Sequence, residues 1–331
     1  MPATGEDVQR LRGQVADAVA LADRASRDVT ELGDTLGPAD ARVVGRGEWI
    51  RSNLQSMRYL TDPFADALLS RSSLPHSVSA KAVAMQVGAI FGFLSTRVLG
   101  QYEVFLPEGR TPGQLTLVGP NLLQAERDLA EETDIDGTDL VLGVVLHELG
   151  HRLQFEGVDW LRGHLHTIIT TYLAETQIDP DRLKGGLKQL RRRIGEGGLD
   201  VRDVLEAFLS PEQAVQMAHA QALMSVLEGH GNIVMDWGVE VLAEDGVDPS
   251  RVRTALNRRR ASQSGPGRLV GRALGMAMKA EQYAVGEQFI AEVAERHGRD
   301  TFHRVWERPE HIPSPDELED PDAWVTRITA A

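Results

Sequence analysis

Hydrophobic positions along this chain recur mostly at three- and four-residue intervals, the spacing that collects side chains on one face of a helix. Val8, Leu11, Val15 and Val19 open the series. Comparable patterning predicts helices over about 6–35, 38–56, 61–72, 76–99, 118–131, 138–156, 158–176, 180–195, 200–208, 211–244, 249–260, 268–297 and 299–307. Strand signals are few. Tyr102-Glu-Val-Phe-Leu106 and Leu115-Thr-Leu-Val118 are short β-prone runs separated by a Gly- and Pro-containing turn from Pro107 to Gly113. They predict one hairpin, with Gly119-Pro120-Asn121 ending its second strand. The expected fold class is therefore mainly α with a small β element, α+β.

One predicted helix breaks its own pattern. Residues 138–155 are apolar almost throughout, with Thr138 or Asp139 placed to cap the N-terminus. Yet His147, Glu148 and His151 fall where burial should be deepest. A buried carboxylate needs compensation, so the helix must meet a cation or a set of donors. Histidines at i and i+4 lie one above the other on a helix and can share one tetrahedral Zn²⁺ at about 2.0–2.1 Å. Glu148, about 100° further round, can reach a water activated there without ligating the metal. His-Glu-Leu-Gly-His is thus a zinc-hydrolase motif, with His147 and His151 as ligands and Glu148 as general base.

Catalytic zinc usually takes a third protein ligand. The extended pattern H-E-x-x-H-x-x-G-x-x-H is excluded, because Gln154 stands where it needs Gly and Gly157 where it needs His. Glu156 lies about 140° off the ligand face, and Asp159 would need a sharp chain reversal. Glu228 is the better candidate. It falls among Met224, Leu227, Gly231 and Met235 on one apolar helical face, beside glycines 229 and 231 that allow close approach. His230 competes, but sits about 200° away and reads otherwise as a core histidine or a substrate-side donor. Asn232 and Asp236 are placed to orient a ligand ring. His164 and His166, two apart, read as core or surface histidines.

Composition narrows the setting. A chain of 331 residues, 42% hydrophobic and 25% charged, can bury a large core. The net charge of −14 argues against a nucleic-acid partner, and the basic triplets at 191–193 and 258–260 read as solvated helix ends or loops. No cysteine is present, which removes thiolate ligands and fits the cytoplasm. Residues 1–30 mix acidic and basic side chains without an apolar signal core, and Ala82–Leu94 is too short to span a bilayer. The Ser- and Gly-rich stretch at 257–268 reads as a flexible loop, and Ile312-Pro-Ser-Pro-Asp316 as another, with Pro321 near the end. One catalytic unit is expected over 1–331, with a helical extension at 1–43 ahead of a core at 44–324.

Longer strings point further. Val118-Gly-Pro-Asn121, His147-Glu-Leu-Gly-His151 and Gln154-Phe-Glu-Gly-Val-Asp-Trp-Leu-Arg162 resemble the type 2 zincin-like metallopeptidases. So do Leu227-Glu-Gly-His230, Val234-Met-Asp236, Met278-Lys-Ala-Glu-Gln-Tyr283, Gly286-Glu287, Arg304-Val-Trp-Glu-Arg-Pro-Glu310 and Asp320-Pro-Asp-Ala-Trp324. This resemblance implies a zincin-like fold with gluzincin-like active-site helices and zinc at His147 and His151. Glu228 matches the family's recurring Glu-Gly pair. One branch is named for association with deazaflavin-coenzyme biosynthesis.

The function expected is zinc-dependent hydrolysis of an amide bond in a peptide, with Glu148 moving the proton. Tyr283 and His230 are candidate oxyanion donors, and the hairpin edge could bind an extended substrate. The alternative is a non-catalytic zincin-fold binding or regulatory protein connected with deazaflavin-coenzyme metabolism.

Overall fold

A computed structural model of the chain describes residues 4–70, 85, 87–106, 112–132, 135–175, 211–243, 248–262 and 276–330. The first helix, α1 (Gly5–Thr30), starts at a reciprocal cap: Thr4 Oγ1 accepts from Asp7 N at 3.1 Å, and Asp7 Oδ2 accepts from Thr4 N at 2.8 Å. It ends short of the expected residue 35, because Glu31 adopts a left-handed conformation at φ 55°. Leu11, Val15, Ala18, Ala22, Ala25 and Val29 are buried at alternating steps of four and three. That stripe lies along the motif-bearing helix α5, introduced below.

The predicted helix at 38–56 is corrected. Ala41–Val44 is a strand, β1, and the helix that follows it, α2, runs from Arg46 to Ser70, absorbing the segment expected at 61–72. Four residues are too few to show a period, and the partner of β1 lies far along the chain. It pairs in parallel with β3 (Gln114–Val118), setting Ala41 opposite Leu115 and Val44 opposite Val118. The expected hairpin is present, with its first strand, β2, at Gly100–Glu103, pairing antiparallel to β3 so that Tyr102 faces Leu115. The three strands are ordered β1-β3-β2, which leaves β2 at an edge. A helical segment α3 (87–94) brings Phe91 and Leu94 against Val44, Trp49 and Val118 on one face of the sheet.

Helix α4 (Gly119–Glu132) leads to α5 (Gly137–Gly157), the helix with the zinc motif. Its N-cap is Asp136 rather than Thr138 or Asp139; Asp136 Oδ1 accepts from the backbone N–H groups of both, at 2.7 and 2.9 Å. Around α5 lie α1, the sheet, α6 (Leu161–Glu175), α7 (Pro211–Leu242) and α8 (Pro249–Ser262). Leu140, Val145, Leu146, Leu149 and Leu153 are fully enclosed by these neighbours. Each such side chain contributes roughly 1.5–3 kcal/mol on burial. Helix α8 continues through residue 262, across the first half of the stretch read as a loop at 257–268; residues 263–268 lie outside the described ones, as do the helices predicted at 180–195 and 200–208.

Helix α9 (Met276–His297) packs against α7 with no side chain between them at one point. A Cβ on Gly286 would fall 1.9 Å from Ser225 O, and one on Gly229 would fall 2.5 Å from Gly286 C. The C-terminal residues α10 (Arg299–His303), α11 (Pro315–Glu319) and α12 (Pro321–Ala330) close over this pair. The loop expected around 312–316 in fact starts α11: Ser314 and Glu317 form a reciprocal cap, with Pro315 at the first helical position. Among the described residues no helix is long and apolar enough to cross a membrane.

Candidate metal centre

Helices α5 and α7 cross with their apolar faces together, and three polar side chains meet at that contact. One ligand atom each from His147, His151 and Glu228 can be chosen so that all lie within 4.8 Å of one another. Glu228 Oε2 stands 3.7 Å from His147 Nε2 and 3.9 Å from His151 Nε2. The two rings are nearly perpendicular at 88°, their centroids 4.9 Å apart. Ligands at about 2.0–2.1 Å from a tetrahedral zinc lie about 3.3 Å from each other, so small side-chain rotations bring these atoms to bonding positions. Two imidazoles and a carboxylate, partly buried, are a donor set that fits a divalent metal ion.

The crossing is close because α7 carries glycine there. A Cβ on Gly231 would lie 2.8 Å from His147 Cε1 and 3.0 Å from its Nδ1. Real Cβ atoms do not approach so near, so Gly231 is what leaves the imidazole its place.

Glu148 faces the sheet side of α5. Its Oε2 accepts the backbone N–H of Tyr102 at 2.8 Å, so the edge strand β2 holds the carboxylate. Gly100, also on β2, makes the room: a Cβ there would sit 2.8 Å from Glu148 Cγ and 2.9 Å from Val144 Cγ1. Just over two turns along α5, Glu156 anchors the other end of the hairpin. Its Oε1 accepts from Tyr102 Oη and from Gly113 N, both at 2.8 Å, and pairs with Arg162. Burial and this carboxylate push the Tyr102 phenol well above its usual range. Glu156 is thereby a structural carboxylate, as its angle on the helix foretold.

The alternative third ligand is placed elsewhere. His230 is fully buried, its ring within 5.1 Å of Trp306, 5.6 Å of Phe302 and 6.2 Å of Trp237, centroid to centroid. Its Nδ1 meets Gln154 Nε2 at 2.8 Å. Burial, then the neighbouring histidines, hold its pKa well below the ordinary value. Gln154 also bonds Leu227 O at 3.0 Å and His151 Nδ1 at 2.9 Å. The sequence reading used Gln154 only to exclude a longer motif; its three-residue spacing from His151 was the available signal.

Asn232 and Asp236, expected to orient a ligand ring, bond elsewhere in the described structure. Asn232 Nδ2 donates to Glu287 Oε2 at 3.3 Å, and Asp236 accepts from Arg253 Nε at 3.0 Å. Burial raises the Asp236 pKa despite that partner. His164 stacks edge-on against Trp160, and His166 packs near Tyr59 and Phe105. The side chain of Tyr283 lies outside the described residues.

Comparison with known proteins bears on the fold and the family. A crystal structure from Chloroflexus aurantiacus, described as a "putative hydrolase with a novel fold", superposes with a TM-score of 0.69 at 26% identity, over 100% of this chain and 93% of that one. No curated protein matches. The family model described as zincin-like metallopeptidase matches residues 2–325, a span that takes in α5, α7, the edge strand and the C-terminal closure. By that match the chain belongs to the zincin-like metallopeptidase family.

Proposed function

We propose that this protein is a zinc-dependent hydrolase that cleaves amide bonds, with peptides as its substrates. The observation that carries the reading is the meeting of His147, His151 and Glu228 beside a carboxylate, Glu148, that is held by an edge strand. The three former residues would hold the zinc, and Glu148 would be the general base. Zinc in such a site supplies Lewis acidity toward a water molecule and a scissile carbonyl.

The chain's own groups supply the rest. Tyr102 N–H fixes one oxygen of Glu148, so the carboxylate keeps one orientation while it takes the proton of the attacking water and delivers it to the leaving nitrogen. Strand β2 supports an extended substrate. Val118 N donates to Leu99 O, and the register then alternates so that Gln101 and Glu103 face β3 while the main-chain groups of Gly100 and the carbonyl of Tyr102 turn to the outer edge, the Tyr102 N–H being taken by Glu148. A peptide laid there would bond to that edge and cross the site beside Glu148. The charge of −14 supports a substrate other than nucleic acid, and the absence of cysteine is consistent with action in the cytoplasm.

The test joins metal analysis to turnover. Wild-type protein is expected to carry equimolar zinc and to cleave members of a peptide library, with cleavage abolished by chelation. Glu228→Ala is expected to lose the metal. Full zinc occupancy in that variant would remove Glu228 from the ligand set, and zinc-loaded wild type that cleaves no amide would favour the binding-protein alternative.

A further inference from the structure

Gln154 is buried completely, and each of its three hydrogen bonds restricts the next. Leu227 O, a carbonyl, can only accept, so the group facing it at 3.0 Å must be the amide nitrogen of Gln154. That fixes the direction of the side chain. The same nitrogen spends its second hydrogen on His230 Nδ1, which is therefore a lone pair. The amide oxygen is left facing His151 Nδ1 at 2.9 Å, where only a ring N–H makes a bond.

We propose that Gln154 is a positioning residue for the metal centre: it holds His151 as the Nδ1–H tautomer and thereby presents the Nε2 lone pair to Glu228 and His147. The proposal rests on the reading of these residues as a metal site. Which ring nitrogen carries the proton is set by the hydrogen bond the other one makes, and the opposite tautomer would carry a proton on the atom that must ligate. Leu227 immediately precedes Glu228 in sequence, so the same amide also ties α5 to α7 next to the third ligand. It sets both the protonation of one ligand and the register of another.

His230 is the far support of this arrangement. With Nδ1 accepting, its proton sits on Nε2, which is buried and has no hydrogen-bond partner among the described residues, amid the rings of Trp306, Phe302 and Trp237. An N–H near aromatic faces is tolerated where a carboxylate would not be. Metal-bound histidines are commonly oriented by a carboxylate or carbonyl behind the ring. Here the partner is a neutral amide, which accepts the proton's bond without adding charge to the centre.

The experiment uses the full-length protein and two readouts. The first is the histidine tautomer in metal-free protein, read from two-bond ¹H–¹⁵N correlations. The second is zinc affinity by competition with a chelating dye. Wild type is expected to show His151 as the Nδ1–H tautomer; the Nε2–H form there overturns the proposal whatever the variants do. Gln154→Met, similar in shape but without hydrogen bonds, is expected to shift His151 toward the Nε2–H form. It should also weaken zinc binding by about 10–100-fold. Gln154→Glu, which restores an acceptor for His151, is expected to bind zinc more tightly than Gln154→Met. Unchanged tautomer and affinity in Gln154→Met would overturn the proposal. A wild type that shows the Nδ1–H form but binds no zinc would instead sink the metal-site reading and leave the amide's role intact.

Discussion

Glu148 Oε2 and the main-chain N–H of Tyr102 are 2.8 Å apart, a hydrogen bond that joins the middle of the motif helix to the edge of the sheet. It places the proposed base and the proposed substrate-binding edge in one rigid arrangement. A single bond thus links what a pentapeptide cannot specify, the direction in which the carboxylate looks.

Glu148→Gln keeps the shape of that side chain and removes its basicity. Zinc content should be unchanged, and hydrolysis of a peptide-library substrate should fall by about 10²–10⁴-fold, the usual contribution of a positioned base. Zinc analysis paired with the digest checks this; full activity with full zinc would remove Glu148 from the mechanism.

Gly100→Ala tests the same carboxylate from the other side. The added methyl would meet Glu148 Cγ at 2.8 Å and Val144 Cγ1 at 2.9 Å, so Glu148 must move. Activity should drop by an order of magnitude or more, with zinc affinity close to wild type. Equal losses in both would mean that the strand, rather than the base, had been disturbed.

Gly231→Ala is expected to do the reverse. Its Cβ would press on the His147 ring at 2.8 Å, so zinc affinity should fall, on the order of 10-fold or more, in a dye-competition titration. Gly163→Ala is the matched control: nothing among the described residues lies within 4 Å of its Cβ, and the helix should gain up to about 1 kcal/mol.

The backbone contact between α7 and α9 predicts a stability effect without a direct role in the chemistry. Gly286→Ala would put a methyl 1.9 Å from Ser225 O, which belongs to the main chain and cannot swing aside. Thermal unfolding should show a loss of about 1–3 kcal/mol or more, the range for overpacking.

Glu317 gives a pH prediction at the C-terminus. Its partial burial raises its pKa, but bonds from Arg327 and Ser314 outweigh that and lower it below the ordinary 4.5. A depressed carboxylate stabilises the fold above its unfolded value, and that contribution is lost as pH falls through the folded one. Glu317→Gln should therefore flatten the decline in melting temperature below about pH 4.5 while costing stability at neutral pH. An identical acid profile in wild type and variant would contradict the assignment.

Much of this site was legible because its signals are local. His147 and His151 are one turn apart, and Glu228 stood out as a carboxylate on an apolar face. The hairpin was legible from two β-prone runs around a turn. What the sequence hid depended on distant partners. Strand β1 is four residues long and acquires meaning only beside β3. Gly100 and Gly231 matter through atoms on another element, invisible to any periodicity. Gln154 looked like a failed motif position, and its hydrogen bonds appear only once Leu227 and His230 arrive against it. The prolines at 315 and 321 suggested a loop, whereas they begin helices.

The crossing of α5 and α7 has one more consequence. His151 and Glu228 are separated by a long stretch of chain, yet a shared ion would bridge them. Such an ion acts as a cross-link as well as a reagent: by closing that loop it removes disorder from the unfolded chain, and it binds the folded form far better than the open one. Chelation should then lower the melting temperature as well as stop turnover, and the protein's resistance to heat should follow the zinc concentration around it.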